Sequence, residues 1–136
     1  MPDTAASARS RAAQDVPTVK MLIGGDWREG AETYDVIDPY RNEVVARAPR
    51  SSETDVADAV SAAVEAKAVV AAIPPYERAA LLRRVHDMMD GRADEIAEIG
   101  TRETGKAISE MRIEVTRSKD TASLSADEAI KIQGEH

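Results

Sequence analysis

The sequence predicts an α/β protein in which a β-hairpin and short strands, within residues 19–50, precede about four helices, within residues 52–133. Two observations predict this order. Short β-prone runs in the first part are separated by glycine, proline and asparagine, which are typical turn residues. In the second part, apolar residues recur every three or four positions, which is the spacing of one helix face.

Turn residues divide the first part into strands. Runs of strand-like composition lie at residues 21–23, 26–28, 34–37 and 43–47. Gly24 and Gly25 separate the first two runs, and a two-residue hairpin turn needs the positive φ angles that glycine adopts readily. Pro39, inside the segment 38–42, sets φ for a turn between the last two runs. The sequence therefore predicts a hairpin followed by two further strands.

Caps and breakers mark the ends of the four helices. The helices are predicted at about residues 52–72, 75–90, 93–104 and 107–132. Ser52, with Asp55 three residues later, is a near capping box at the start of the first helix. Pro74 ends that helix, because the residue before a proline avoids the α region. Gly91 and Gly105 mark the ends of the second and third helices.

The apolar spacing predicts which face of each helix is buried. The expected positions are Val56, Val60, Val64 or Ala63, and Val70 on the first helix; Ala79, Leu82, Val85 and Met89 on the second; Ile96 and Ile99 on the third; and Ile108, Met111, Val115, Ser118, Ala122, Ser125, Ala129 and Ile132 on the fourth. Small residues at the centre of the last set would allow a neighbouring element to approach closely.

The composition predicts a thin hydrophobic core. The 136 residues include no Phe, one Trp and three Tyr, although aromatic side chains bury the largest area per residue. Strands this short would also leave open sheet edges and an uncovered face. We therefore expect the chain to pack against further polypeptide. Residues 1–18 are small, polar and unpatterned, and we expect them to form a flexible leader.

Charge and composition exclude several classes of function. The net charge of −7 argues against a nucleic-acid-binding protein, which normally carries a basic face. The longest uncharged run, 68–76, is far shorter than the roughly 20 residues that span a membrane. The N-terminal residues lack the apolar core of a secretory signal, and the chain has no cysteine. We expect a cytoplasmic protein that binds neither nucleic acid nor membrane.

The segment GTRETGKA, residues 100–107, resembles a phosphate-binding P-loop except that Ala107 replaces the Ser or Thr whose hydroxyl binds Mg²⁺. A P-loop also follows a strand, whereas the preceding residues ADEIAEI have helical spacing and three acidic side chains. Gly105 followed by Lys106 is the usual way for a helix to end. We interpret the segment as a helix end.

The remaining candidates for chemistry are weak. His86 has no second ligand at helical spacing, His136 is terminal, and no serine lies in a G-x-S-x-G motif. The sequence therefore predicts no catalytic, cofactor-binding or metal-binding residue. Arg117, in the middle of the last helix beside its small residues, either forms a surface ion pair with Glu114 or Asp120 or belongs to a binding site.

Five motifs resemble, in their order, the N-terminal portion of the NAD(P)-dependent aldehyde dehydrogenase superfamily. They are the opening IGGDW, the turn DPYRNEVVA, the helices DVADAVSAA and ERAALL, and the helix end ETGK. The resemblance covers about residues 19–136. The segment beginning ETGKAISE is most similar to the branch of lactaldehyde, non-phosphorylating glyceraldehyde-3-phosphate and phosphonoacetaldehyde dehydrogenases.

The resemblance implies an oxidoreductase that converts an aldehyde to a carboxylic acid with NAD or NADP. In the family, a cysteine nucleophile, a glutamate base and the dinucleotide site lie downstream of the matched segment, so this chain is expected to be an inactive, structural N-terminal part of that fold which binds no cofactor alone. Its partners would be the rest of the polypeptide, or further copies in a homo-oligomer, and a small aldehyde, which is anionic for some relatives. Arg117 matches the position at which some relatives bind an anionic group of the substrate.

One alternative of a different class stays open. The chain could be a noncatalytic helical interaction module that associates with itself or with a full-length dehydrogenase. Both interpretations require an exposed apolar face.

Overall fold

The computed structural model describes residues 16–132. The leader predicted at 1–18 therefore lies outside the described residues, apart from its last three positions, and so do residues 133–136. The chain divides into two compact units, Met1–Ala66 and Lys67–His136, which we describe separately.

The first unit begins with the predicted hairpin. Strand β1, Met21–Ile23, pairs antiparallel with strand β2, Asp26–Arg28. Gly24 and Gly25 form the turn with φ of 61° and 94°, so the left-handed backbone that the sequence required is present at both glycines.

A longer pair of strands follows. Strand β3, Glu32–Asp38, pairs antiparallel with strand β4, Glu43–Arg50. β3 extends beyond its predicted limits at both ends and β4 at its C-terminal end, because residues 32–34 of β3 pair with residues 48–50 of β4. In the turn between them, the buried Asp38 carboxylate accepts hydrogen bonds from the backbone N–H groups of Tyr40 and Arg41, at 2.8 and 3.0 Å. Such an Asx-type turn satisfies a polar side chain that would otherwise be costly to bury.

Helix α1, Glu53–Ala72, starts with the predicted cap. The Asp55 carboxylate accepts hydrogen bonds from the Ser52 N–H and hydroxyl, and the Asp55 N–H donates back to the Ser52 hydroxyl. The prediction of a buried valine stripe is wrong for the described chain, since none of the 20 residues of α1 is buried. Val60, at the centre of that stripe, keeps 58% of its surface exposed, because no described element covers it.

The second unit contains the end of α1 and three further helices: α2, Pro75–Asp90, α3, Ala93–Thr104, and α4, Ile108–Lys131. The long helix α4 packs mainly against α2 and also against α3. The buried core of the contact between α2 and α4 is formed by Ala79, Ala126 and Ala129, with the half-buried Leu82 beside them. Across residues 16–132 we find no helix that is long and apolar enough to cross a membrane.

The inner face of α4 differs from the predicted one by about one residue near its centre. Ser118 and Ser125 are exposed, while Lys119 is half-buried and Ala126 is buried. Ser118 tolerates its outward position because its hydroxyl donates to the Glu114 carbonyl of the same helix, at 2.9 Å. Of the other expected inner positions, Ile99, Val85 and Ile132 are exposed.

Candidate functional site

The junction between α3 and α4 contains the segment that resembled a P-loop. Residues 100–104 are the last turn of α3, and Gly105 ends the helix with φ 74° and ψ 5°. Its N–H donates to the Thr101 carbonyl at 2.9 Å, as in an αL helix end. The structure thus confirms a helix end, and no strand precedes it within the described second unit.

Gly100 fixes how closely the two helices approach. A Cβ placed on Gly100 would lie 2.8 Å from the Met111 Cε, in the first turn of α4. The lack of a side chain at Gly100 therefore lets Met111 lie directly across α3. The two glycines of the segment have structural roles, one in packing and one in termination.

Lys106 and Glu114 form an ion pair beside this junction. The Lys106 Nζ lies 3.0 Å from the Glu114 Oε1, and both side chains are about half exposed. The Lys106 ammonium, which donates this hydrogen bond, lowers the pKa of the Glu114 carboxyl, and the charge of Arg117 lowers that pKa further. The lysine of the apparent P-loop is thus engaged with a carboxylate.

Arg117 lies on α4 one turn beyond Glu114 and is exposed. Within residues 16–132, no carboxylate oxygen lies within 4.0 Å of its guanidinium. Neither surface ion pair considered from the sequence is formed, since Glu114 is paired with Lys106 instead. The five N–H donors of its guanidinium are therefore not engaged by a described carboxylate and can donate hydrogen bonds to an added anion.

The histidine considered as a metal ligand has one acidic neighbour. The His86 Nδ1 lies 3.1 Å from the Asp87 Oδ1, and no group of three or more potential ligands occurs between residues 16 and 132. A protein metal site needs three or four convergent ligands. His86 lies half-buried on α2.

Ion pairs that the sequence did not predict join segments that lie far apart in the chain. The Lys119 ammonium, on α4, donates to the Asp90 carboxylate at the end of α2, and the lysine side chain is only 19% exposed. In the first unit, the Arg28 guanidinium of β2 lies 2.6 Å from the Asp58 carboxylate of α1. Spacing along one helix reveals neighbours three or four residues apart, whereas these partners are separated by 29 and 30 positions.

An apolar groove lies between β1 and α1 in the first unit. Its volume is about 440 Å³, and it is lined by Met21, Leu22, Ile23, Ser51, Asp55, Val56, Ala59, Val60 and Ala63. The one charged lining residue, Asp55, is already bonded to Ser52, which lowers the pKa of its carboxyl. The groove therefore offers apolar surface and few free polar groups.

Comparison with known proteins gives consistent matches over most of the chain. The model of the aldehyde dehydrogenase family matches residues 27–136. A 3-sulfolactaldehyde dehydrogenase from Priestia aryabhattai is 36% identical over 115 residues, which is 85% of this chain and 24% of the relative.

Solved structures show the same partial coverage. Aldehyde dehydrogenase 21 from Physcomitrella patens, in complex with the reaction product succinate, superposes with a TM-score of 0.85 and 37% identity over 89% of this chain and 25% of that one. Lactaldehyde dehydrogenase from Escherichia coli gives a TM-score of 0.83 and 30% identity over 88% and 26% of the two chains. The chain thus spans about a quarter of the length of the relatives it matches.

Proposed function

The chain belongs to the aldehyde dehydrogenase family, and we propose that it is an N-terminal structural part of an enzyme that oxidises an aldehyde to a carboxylic acid with NAD or NADP. The match of the family to residues 27–136 carries this proposal. In the role proposed here, the strands and helices support the catalytic and cofactor-binding parts of the enzyme. We also propose a cytoplasmic location.

The chain supplies no nucleophile for this reaction. It contains no cysteine, and the family's reaction proceeds through a cysteine thiohemiacetal from which hydride passes to the nicotinamide. The thioester that results is hydrolysed with the help of a glutamate base. We propose that the cysteine, the base and the dinucleotide site are provided by polypeptide outside these 136 residues, so that this chain is inactive alone.

Arg117 is the residue of this chain that we propose to contact the substrate. Its guanidinium is exposed and has no carboxylate within 4.0 Å among residues 16–132, so it is available to an anionic group. Relatives include a dehydrogenase named for a sulfonated aldehyde and one solved with the dicarboxylate succinate. Guanidinium binds carboxylate or sulfonate oxygens through paired donors. The proposed substrate is therefore a small anionic aldehyde.

A chimera tests this proposal. The aligned quarter of the Priestia aryabhattai enzyme is replaced by this chain, and kcat/KM is measured for 3-sulfolactaldehyde and for the neutral benzaldehyde. We expect Arg117→Met to lower kcat/KM about 10- to 100-fold for the anionic aldehyde only, the loss of one charged hydrogen-bonding group. Arg112→Met is the matched control, because Arg112 on the same helix bonds Asp94 at 3.2 Å.

Two results would contradict the proposal. A folded chimera without activity on either aldehyde would show that this chain cannot replace the family segment. Equal effects of the Arg117 and Arg112 substitutions on both aldehydes would remove Arg117 from the substrate site.

A second candidate function is a noncatalytic interaction module. The exposed valines of α1 favour it, since such a face is also suited to association with a second copy. Self-association through this face distinguishes it from the first candidate.

A further inference from the structure

We propose that the exposed apolar face of α1, together with β1, is the docking surface for the remaining polypeptide of an aldehyde dehydrogenase domain. The apolar residues of this surface that line the groove are Met21, Leu22, Val56, Ala59, Val60 and Ala63. The proposal rests on the proposed function and adds to it the surface through which this chain joins the enzyme.

Helix α1 lacks the packing that a helix of its length normally has. Most helical stability in proteins comes from burying one apolar face, yet none of the residues of α1 is buried by the described chain. Val56 and Val60 both keep more than half of their surface exposed. They lie one turn apart with the same orientation, so they form a continuous apolar strip.

Beside this strip, the hairpin contacts α1 through an ion pair and at its turn. The Arg28–Asp58 ion pair, at 2.6 Å, joins β2 to α1. At the hairpin turn, a Cβ placed on Gly24 would lie 3.5 Å from the Ala62 Cβ, so the turn touches the helix. The hairpin thus contacts α1 at these two places, and the space between them is the groove of about 440 Å³.

The chemistry of the groove selects an apolar occupant. Its single carboxylate, that of Asp55, is committed to the helix cap by two hydrogen bonds from Ser52. An occupant with buried charges would find no free partner there, and an unpaired charge is costly to bury. Apolar side chains of a packed domain fit the surface without this cost.

Coverage identifies which domain provides those side chains. About 85–89% of this chain aligns with relatives of which it represents only about a quarter, and the backbone superposes with a TM-score of 0.85. The relatives therefore contain additional polypeptide about three times as long as the segment that aligns with this chain. A second copy is a poorer occupant, because a symmetric pair apposes identical surfaces and a groove is not complementary to itself.

The test is binding in trans. The full 136-residue chain is mixed with the Priestia aryabhattai enzyme from which the aligned quarter has been deleted, and the complex is measured by analytical ultracentrifugation. Val60→Asp should lower the affinity at least about 100-fold, since it buries an unpaired carboxylate. The control is Val69→Asp, about 180° from Val60 around α1 and outside the groove lining; it should bind like the unsubstituted chain.

Circular dichroism of each variant establishes that helix content is unchanged. The deleted quarter of the Priestia enzyme, added as a separate chain, serves as the positive control for the partner. With that control binding, failure of the folded 136-residue chain to bind overturns the proposal. Equal loss with Asp at residues 60 and 69 also overturns it, as does a homodimer of the chain alone that Val60→Asp dissociates. Because the measurement is binding, a complex that forms without dehydrogenase activity supports the docking surface and contradicts the proposed function.

Discussion

Replacement of Gly105 by alanine should destabilise the chain, because this residue ends α3 in a left-handed conformation with φ 74°. An L-residue in that conformation costs roughly 1–2 kcal/mol, because its Cβ crowds the following carbonyl. The same change reduces the conformational entropy of the unfolded chain, which stabilises the folded state by about 0.4–1 kcal/mol. The net loss expected for Gly105→Ala is therefore about 1 kcal/mol.

Gly91 provides the matched comparison. It follows α2 with φ −64° and ψ −15°, a conformation open to any residue, and its Cβ would meet nothing closer than 3.5 Å. Gly91→Ala has the same effect on the unfolded chain without the strain. The difference between the two variants is therefore the strain itself, about 1–2 kcal/mol.

Urea unfolding followed by circular dichroism measures this difference. With a slope of about 1–3 kcal/mol per M, a difference of about 1–2 kcal/mol separates the midpoints of the two variants by roughly 0.3–2 M at unchanged slope. Gly105→Asn should lie between them, because asparagine tolerates the left-handed region better than alanine. Equal midpoints for Gly105→Ala and Gly91→Ala would refute the inference that position 105 requires a left-handed backbone in which alanine is strained.

Two further predictions concern the contact between α2 and α4. Ala126→Leu should lower the free energy of unfolding by about 1–3 kcal/mol, because the buried position has no room for the larger side chain. Ser125→Leu, on the exposed side of α4, should be nearly neutral. Similar urea midpoints for the two variants would contradict the assignment of Ala126 to the contact with α2. The Lys119 ammonium lowers the pKa of Asp90, so this pair stabilises the fold above the carboxyl's unfolded pKa, and the contribution is lost as pH falls through the lowered folded pKa. In Asp90→Asn, the unfolding temperature should therefore fall less steeply as the pH is lowered below about pH 4. An unchanged dependence of the unfolding temperature on pH would contradict this prediction.

Local backbone signals allowed the elements to be predicted. The Gly24-Gly25 turn and the end of α3 at Gly105 need conformations that few residues adopt, so their positions were readable from the sequence. The Ser52–Asp55 cap is likewise formed by residues only three positions apart. Such features depend on neighbours along the chain, which a single sequence displays directly.

Burial was harder to predict, since it depends on neighbours in space. Periodicity predicted a buried valine stripe on α1, and this prediction is wrong for the described chain, because no described element covers Val60. On α4, the spacing of apolar and small residues predicted Ser118 as an inner position and did not include Lys119. The long stem of lysine can lie along apolar surface while its ammonium reaches Asp90. No spacing rule could have revealed that pairing.

The role of Arg117 stays a prediction for a related reason. The structure places its guanidinium away from carboxylates within residues 16–132, which is a property of α4. Whether an aldehyde reaches it depends on groups that the matched quarter of the family does not contain.

The alanine contact between α2 and α4 has a mechanical consequence. Ala79, Ala126 and Ala129 are buried in this contact and have no side-chain torsions that could rotate to absorb a displacement. Where helices meet through long side chains, rotamer changes can take up a shift of one helix before it reaches the other. Here a displacement of α2 must be carried by α4 as a rigid body, and Arg117 would move with it.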